Sequence, residues 1–235
     1  MAKDDVREQL VEVGLRTLLA GGYNHTGVQD LVAAADVPKG SFYYYFGSKE
    51  DFACAVIDRY ADRATVSAIL DDRTRPPLER LRRYFEVLVP LYEERGFAQG
   101  CLLGNLSLEM ADGSAAMRER LASGFARWQA MFAAVFREAA DRGELPARSD
   151  PDALAAFCLD GWEGALLRMK AEKSAAPLRI FIATVFDYLM CNSFRAQTAS
   201  KPSKSSETRP FADRGRRRLW IRIPPSAKHL ARRAL

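Results

Sequence analysis

Apolar residues recur every three or four positions along most of the chain up to about residue 194, a spacing typical of amphipathic helices. No segment alternates apolar and polar residues over a sustained run, so we predict an all-α fold of about nine helices. Three short helices come first and longer ones follow. This difference predicts a small N-terminal head over residues 1–50 and a larger helical body over residues 51–195.

Local signals predict several helix ends. The first helix stops at the glycine pair 21–22, and Thr26 is placed to cap the second. Ser48 followed by Asp51 has the form of a capping box, with Asp in place of the usual Glu. Asp150 before Pro151 is a cap with proline in the first helical position. A long helix is expected over residues 114–142 and a final one from Pro177 to about residue 194.

The positive charge of the chain is concentrated at its C-terminal end. The formal net charge is +5, but residues 196–235 hold eleven Lys and Arg against two acids, a net +9. Residues 1–195 therefore carry a net charge of −4. The tail, residues 196–235, is polar, rich in Pro and Ser and without periodicity, and we expect it to be disordered. The basic total is thus no argument that the body binds nucleic acid.

Composition also argues against several classes of protein. No apolar run approaches the roughly 18 residues of a membrane span, and the charged start of the chain does not resemble an export signal, so we expect a cytoplasmic protein. The cysteines are widely separated, with neither a C-x-x-C pair nor a histidine cluster, which predicts free thiols, no metal site and no cofactor. They are Cys54, Cys101, Cys158 and Cys191.

The three short helices can be interpreted as a helix-turn-helix. In that motif a first helix lies against the phosphate backbone and a second, joined by a tight turn, enters the major groove. Residues 26–35 would be the first helix, 36–39 the turn and 40–46 the reader helix. Phe42 and Phe46, four residues apart, would share the buried face of the reader.

The remaining reader residues suit contact with DNA. Gly40 allows a close backbone approach, tyrosine hydroxyls reach phosphates, and Lys39 and Lys49 flank the helix as phosphate contacts. The amides of Gly27 and Val28, at a helix N-terminus, could bind a phosphate. The alternative is that three consecutive tyrosines form only a partly buried helix face. The seven acidic and five basic side chains of residues 1–50 favour that alternative.

A family resemblance strengthens the DNA-binding interpretation. Residues 22–31, 37–46 and 48–50, including Lys-Gly-Ser-Phe-Tyr and the later Ser-Lys-Glu, resemble the signature of the tetracycline-repressor (TetR) family. The resemblance implies a cytoplasmic homodimer that binds a palindromic DNA operator and is released from it when the body binds a ligand. It implies DNA contacts at Gly27, Val28, Gln29, Lys39, Gly40, Ser41, Tyr43, Tyr44, Tyr45 and Lys49. The third aromatic, Tyr45, is often His in this family, which leaves the chemistry of that contact open.

The body resembles a subgroup of the family. Residues 100–109 and 161–170 resemble a subgroup that includes the N-ethylmaleimide-responsive repressor and related regulators. Cys101 lies near a predicted helix N-terminus, where the helix dipole would lower the thiol pKa, and Lys170 is a candidate helper. One hypothesis is that Cys101 senses electrophiles or oxidants; the other is that it packs as a small apolar residue. For Cys54, Cys158 and Cys191 we favour structural packing.

The family resemblance also predicts where the body dimerises and binds a ligand. The last two helices, residues 150–173 and 177–194, would pair with their twins in a four-helix interface, and a palindromic operator requires two heads about 34–36 Å apart. A small-molecule pocket would be lined by apolar and aromatic residues that could equally be plain core. The candidates are Phe85, Leu88, Tyr92, Leu106, Met110, Phe125, Trp128, Phe132 and Trp162.

The alternatives to a repressor are an enzyme and an adaptor or peripheral membrane protein. An enzyme is disfavoured, because no nucleophile–base pair, paired carboxylates or Gly-rich phosphate loop emerges. An adaptor or peripheral membrane protein could be anchored by the basic tail. In a repressor the same tail would be either a nonspecific DNA-tethering arm or a terminus without a selected role.

Overall fold

A computed structural model describes residues 3–62 and 67–189 of the chain, and within them it contains ten α-helices and no strand, which confirms the predicted all-α class. The helices are α1 Lys3–Gly21, α2 Val28–Ala34, α3 Lys39–Tyr45, α4 Lys49–Asp62, α5 Ser67–Leu70, α6 Pro77–Glu94, α7 Leu102–Met110, α8 Ala115–Asp141, α9 Pro151–Glu172 and α10 Ala176–Ile182. α10 continues into a π-helical segment, Ala183–Leu189. The predictions for Cys191 and for the tail lie outside the described residues.

Most predicted helix ends are confirmed. The Asp150 carboxylate accepts hydrogen bonds from the amides of Asp152 and Ala153, and the Asp51 amide donates to the Ser48 hydroxyl. The cap of α2 was predicted wrongly. Gly27 is the N-cap residue, and the Thr26 hydroxyl instead donates backward to the carbonyl of Gly22, closing the turn after α1.

The head, α1 to α3, is built around aromatic side chains that hold the reader helix α3 in place. Phe42 is completely buried, and its ring lies 5.2 Å from that of Phe52 and 5.6 Å from that of Phe46. Because Phe52 belongs to α4, the head and the body share one hydrophobic cluster. This contact fixes the reader relative to the body.

The body is organised around its longest helix, α8, which packs against α4, α6 and α9. One ion pair is buried at the α6–α8 contact. Arg80 of α6 is completely buried and pairs through Nη2 with the carboxylate of Glu138 on α8, whose side chain is 19% exposed. Arg73 and Arg142 reach the same carboxylate from the surface. α6 is therefore joined to α8 by charge as well as by apolar packing.

No helix within the described residues combines the length and apolar character needed to cross a membrane.

Candidate DNA-binding head and thiol site

The reader helix presents aromatic side chains to solvent, opposite its buried phenylalanines. α3 begins after the N-cap residue Pro38, and Tyr43 and Tyr44 are 53% and 60% exposed. Tyr45 is half-buried, and its ring stands edge-to-face with that of Tyr44 at 4.9 Å. The exposed tyrosines are consistent with the predicted DNA surface rather than with a buried aromatic face.

The backbone at the start of the reader is open. A Cβ added at Gly40 would meet no atom of the described residues within 4 Å, and Lys39 beside it is exposed. Ser41 is half-buried next to them. This end of α3 can therefore approach another molecule without steric hindrance from the protein's own side chains.

The start of α2 differs from the prediction. The Gly27 amide donates to Oδ2 of Asp30 at 2.9 Å, so a protein carboxylate already occupies the position proposed for a phosphate. Val28 and Gln29 follow in the first turn, where Gln29 is exposed. A phosphate at this helix end would have to bind the amides of these two residues or displace Asp30.

Lys49 was expected to contact DNA, but in the structure it interacts within the protein. Its ammonium donates to the Tyr23 carbonyl at 2.6 Å and lies 4.0 Å from the centre of the Tyr23 ring. Partial burial lowers the pKa of Lys49, and the nearby Glu109 carboxylate opposes that shift. Lys49 thus holds the turn after α1 against the start of α4.

Glu109 connects the body to the same turn. Its Oε2 accepts hydrogen bonds from the amides of Tyr23 at 2.9 Å and Asn24 at 3.0 Å. Glu109 lies in the last turn of α7, and Cys101 is the N-cap residue of that same helix. One helix therefore runs from the candidate thiol to the N-terminal head.

Cys101 is not the activated thiol that its position predicted. It is 4% exposed, and burial raises the pKa of its thiol well above the usual value, with the charge of Glu163 raising it further. Hydrogen bonds from the amides of Gly104 and Leu103 lower it only in part. The helix N-terminus is present as predicted, but desolvation and a neighbouring carboxylate outweigh it.

Lys170, the candidate helper of Cys101, lies on α9. The charged residue of α9 that acts on Cys101 is Glu163, whose charge raises the pKa of the thiol. Lys170 lies seven residues further along the same helix, roughly 10 Å along its axis. The charged residue that acts on the thiol is therefore an acid and not a lysine.

Comparisons with known proteins agree with this architecture. Residues 10–56 match the model of bacterial regulatory proteins of the tetR family, and residues 77–185 match that of the tetracyclin repressor-like C-terminal domain. The chain is 39% identical over 81% of its length, and 95% of the relative's, to the transcriptional repressor DhaR of a Mycobacterium species. The chain belongs to the TetR family. It is therefore a transcription regulator with a helix-turn-helix head, and the expectation that it is not an enzyme is confirmed.

Two further relatives of this TetR-family regulator are similar over most of their length. The transcriptional regulator AcuR of Cereibacter sphaeroides is 43% identical over 75% of this chain and 82% of its own. The crystal structure of reduced Escherichia coli NemR superposes with a TM-score of 0.73 at 29% identity, covering 78% of this chain and 96% of NemR. The predicted similarity to regulators of this kind is thus confirmed.

The residues predicted to line a pocket in this TetR-family body fall into two groups. Phe85 and Trp162 are buried and in contact, with ring centres 4.8 Å apart, and Phe132 lies 5.4 Å from Phe85. The ring centres of Trp128 and Phe125 are 6.3 Å apart, and the indole N–H of Trp128 donates a hydrogen bond to the Ala61 carbonyl. The other candidates are core residues or pack against the core, namely Leu88, Tyr92, Leu106 and Met110.

Sequence reasoning missed the polar residues of this region. The charge of Glu163 raises the pKa values of three tyrosines and of the Cys101 thiol. The tyrosines are Tyr60, Tyr84 and Tyr92. Their signal in the sequence is faint, because a tyrosine in an apolar stripe resembles plain core. Glu163 was the one detectable anomaly, since it is an acid directly after the buried Trp162.

A separate groove of about 560 Å³ lies between α1, α4 and α8. Most of its lining is charged, and none of the predicted pocket residues contributes to it. The lining residues that carry charge are Arg7, Glu8, Asp51, Asp58, Arg59, Asp62, Glu119 and Arg120.

Proposed function

We propose that this TetR-family protein is a dimeric repressor that binds a palindromic DNA operator and is released from it by a small molecule or by modification of Cys101. The observation that carries the DNA-binding part is the reader helix. Its buried Phe42 fixes the helix, while Tyr43 and Tyr44 remain exposed beside the open backbone of Gly40. Two of the similar proteins, DhaR and NemR, are named as transcriptional repressors.

The proposed contacts are the ones that the family resemblance implies, with two adjustments. Tyr43, Tyr44 and Lys39 are exposed and can reach DNA directly. Lys49 acts first as a positioning residue through Tyr23, and a phosphate near Gly27 competes with Asp30. The other contacts of the proposal are Val28, Gln29, Gly40, Ser41 and Tyr45. Because the head has more acids than bases, its binding should depend on specific contacts more than on nonspecific attraction.

Replacing Tyr44 with alanine is expected to weaken operator binding about tenfold, since a good base or sugar contact contributes roughly 1–3 kcal/mol. The measurement is footprinting of the DNA flanking the protein's own gene, followed by fluorescence anisotropy on the protected site. Tyr44→Phe separates the hydroxyl from the ring, and Arg148→Ala, an exposed change in the α8–α9 loop, serves as control. If no palindromic site is protected, operator binding is disproved.

Dimerisation is proposed through an exposed apolar stripe on the last helices. Phe157 and Leu167 of α9 and Ile180 of α10 are 53%, 60% and 56% exposed. Gly164 lies between the first two on the same face, and within the part of the chain that the structure describes a Cβ there would meet nothing within 4 Å. Large apolar side chains exposed together on neighbouring helices are typical of an interface with another protein. A second copy of the chain is the occupant that a palindromic operator requires.

The variant Leu167→Glu should convert the dimer to a monomer, because two copies of the introduced carboxylate would be buried against apolar surface. Sedimentation velocity at micromolar concentration gives the mass directly. Leu108→Glu is the matched control, since Leu108 is 79% exposed but lies on α7. A Leu167→Glu protein that stays dimeric would move the interface elsewhere.

The coupling between sensor and head is proposed to pass along α7. Chemistry at Cys101 acts on the N-cap residue of this helix, and Glu109 at the other end accepts hydrogen bonds from the amides of Tyr23 and Asn24. A shift of the helix would therefore displace the turn that precedes α2. Footprinting repeated with an electrophile on wild type and on Cys101→Ser tests the sensor role. An equal response from both proteins excludes Cys101 as the switch.

The proposal also includes the division of the chain into a DNA-binding head, residues 1–50, a regulatory and dimerisation body, residues 51–195, and a basic tail, residues 196–235. Binding to chromosomal DNA implies a cytoplasmic location. Operator binding that survives deletion of residues 196–235 would support the repressor over an adaptor anchored by its tail.

A further inference from the structure

The C-terminal tail, residues 196–235, holds most of the positive charge of the chain, and the function proposed above gives it no role. It carries eleven Lys and Arg against two acids, a net +9, and both family matches end before it. Eight of the eleven are arginines, and four of these lie within residues 214–218. A planar guanidinium binds a phosphate group through two hydrogen bonds at once, so this composition suits a phosphate-rich partner.

Two cations of the head, in contrast, interact within the protein. The Lys49 ammonium donates to the Tyr23 carbonyl. The Arg7 guanidinium lies 5.4 Å from the centre of the Phe46 ring and 3.7 Å from the Glu8 carboxylate. These contacts reduce what either side chain offers to DNA, because a phosphate would have to replace a partner that is already in place.

Exposed carboxylates oppose the other cations near the reader. Arg16 and Lys39 are exposed, but Asp30 on α2 and Asp36 in the turn before α3 are exposed as well. Double-stranded DNA presents about one negative charge every 1.7 Å of its axis, and proteins that bind it neutralise several phosphates with Lys and Arg. The head, with seven acids against five bases, provides little of that neutralisation.

We propose that the tail is a second DNA-binding element, which contacts the phosphate backbone of the duplex that the reader binds. This inference rests on the proposed function, because the reader brings the duplex within reach of the tail. Phosphate contacts carry no sequence information. The tail should therefore raise the affinity for the operator and for unrelated DNA by the same factor.

The described part of the chain ends beside α6. Arg82 pairs with Asp187 in the π-helical segment, and Arg80, two residues before Arg82, pairs with Glu138 near the C-terminal end of α8. The chain therefore leaves the body near that end of α8.

The other end of α8 lies at the head, and the tail is long enough to cover the distance. The Ser114 hydroxyl hydrogen-bonds to the Glu50 carboxylate at the start of α4. Ser114 and Glu138 are 24 residues apart, which is about 36 Å along a helix. The 25 residues from Leu189 to Arg214 span at most roughly 80–90 Å. The arginines of the tail can thus reach past the junction of head and body to DNA held by the reader.

The test is the affinity of the full-length protein for a random-sequence duplex of about 30 base pairs, measured by fluorescence anisotropy from about 50 to 200 mM salt. The triple variant Arg216→Gln, Arg217→Gln, Arg218→Gln keeps the length of the tail but removes three charges. It should bind at least about tenfold more weakly at 100 mM salt. The slope of log K against log salt should become shallower by about 2–3, since each lost phosphate contact removes about 0.9. The operator found by footprinting should show the same loss.

Two matched triple variants separate phosphate contact from other causes. Lysine at the same three positions keeps the charge, so the salt slope should stay close to that of wild type. Glutamine at three exposed arginines of the body removes the same net charge from the protein, and the affinity should change by no more than about twofold. These body arginines are Arg118, Arg137 and Arg148. If the body variant loses as much affinity as the tail variant, net charge explains the effect and the proposal is wrong.

Other outcomes would also overturn the proposal. One is a tail variant that binds both duplexes as wild type does. Another is a loss confined to the operator, which would mean sequence-dependent contact. Stronger DNA binding after deletion of residues 196–235 would show that the tail competes with DNA for the acidic head. Binding to phosphatidylglycerol vesicles that depends on the three arginines, with unchanged affinity for DNA, would identify a membrane anchor instead.

The two duplexes distinguish this inference from the proposed function. Binding to random DNA that depends on the tail, without any protected operator, supports the tail as a DNA-binding element and disproves the repressor. Operator binding of the same affinity and salt dependence with and without the three arginines supports the repressor and disproves the role of the tail.

Discussion

The variant Glu138→Ala should be less stable than wild type by about 3 kcal/mol or more, because it leaves a charged arginine buried without its counter-ion. Arg80 is completely buried, and its Nε and Nη1 atoms have no hydrogen-bond partner within the described structure. The carboxylate of Glu138 is the group that compensates the guanidinium, through Nη2. Without that carboxylate, nothing offsets the free-energy cost of removing the charged Arg80 guanidinium from water.

Urea unfolding at pH 7, followed by circular dichroism, measures this loss. Arg73→Ala and Arg142→Ala are matched controls, since both arginines pair with the same carboxylate but are 66% and 47% exposed. Such exposed pairs contribute about 0–1 kcal/mol. Controls that lose as much as Glu138→Ala would mean that the surface pairs, rather than Arg80, account for the effect.

The effect should also depend on pH with a definite sign. The hydrogen bond and charge of Arg80 lower the pKa of Glu138 below its ordinary value of 4.5 in the native state. A group whose pKa is lowered on folding stabilises the protein above its unfolded pKa and loses that effect as the pH falls. The stability difference between wild type and Glu138→Ala should therefore be full at pH 7 and shrink below about pH 4.5.

The second large effect is expected for Phe42→Ala, which should destabilise the protein by about 3–5 kcal/mol and abolish operator binding. Phe42 is completely buried between the rings of Phe46 and Phe52. The reader helix has only seven residues, too few to be stable without this packing. Losing the ring therefore removes both a cavity-filling side chain and the anchor that fixes the reader.

Tyr43→Ala distinguishes folding from contact with DNA. Tyr43 is adjacent in sequence but 53% exposed, so its removal should change the stability by no more than about 0.5 kcal/mol while still weakening operator binding. Urea unfolding and anisotropy on the same operator give both quantities. If Phe42→Ala bound the operator with wild-type affinity, α3 would not be the reader.

The head illustrates how far local patterns reach. The spacing of Phe42 and Phe46 predicted which face of the reader is buried, and both residues are in the core. Capping at Ser48 and Asp150 was likewise predicted from single residues and their neighbours. Signals of this kind depend on residues a few positions apart, so the order of the chain contains them.

The cap of α2 shows where local reasoning fails. Thr26 and Gly27 are both acceptable caps by residue type, and the choice depends on which backbone group Thr26 reaches. In the structure Thr26 donates to Gly22 and leaves the cap to Gly27 and Asp30. A competition between two nearly equivalent hydrogen bonds is decided by the path of the turn.

Periodicity and a motif within residues 22–50 were enough to predict an all-α protein that begins with a helix-turn-helix and resembles the TetR family, because both signals depend on residues close together in the chain. The chemistry of Cys101, in contrast, could be found only from the folded protein. Its helix N-terminus predicted a lowered thiol pKa, but Glu163, sixty-two residues away in the chain, is brought against it in an apolar interior. The electrostatic environment of a buried group depends on depth and on distant partners, and neither is written in the residues that flank it.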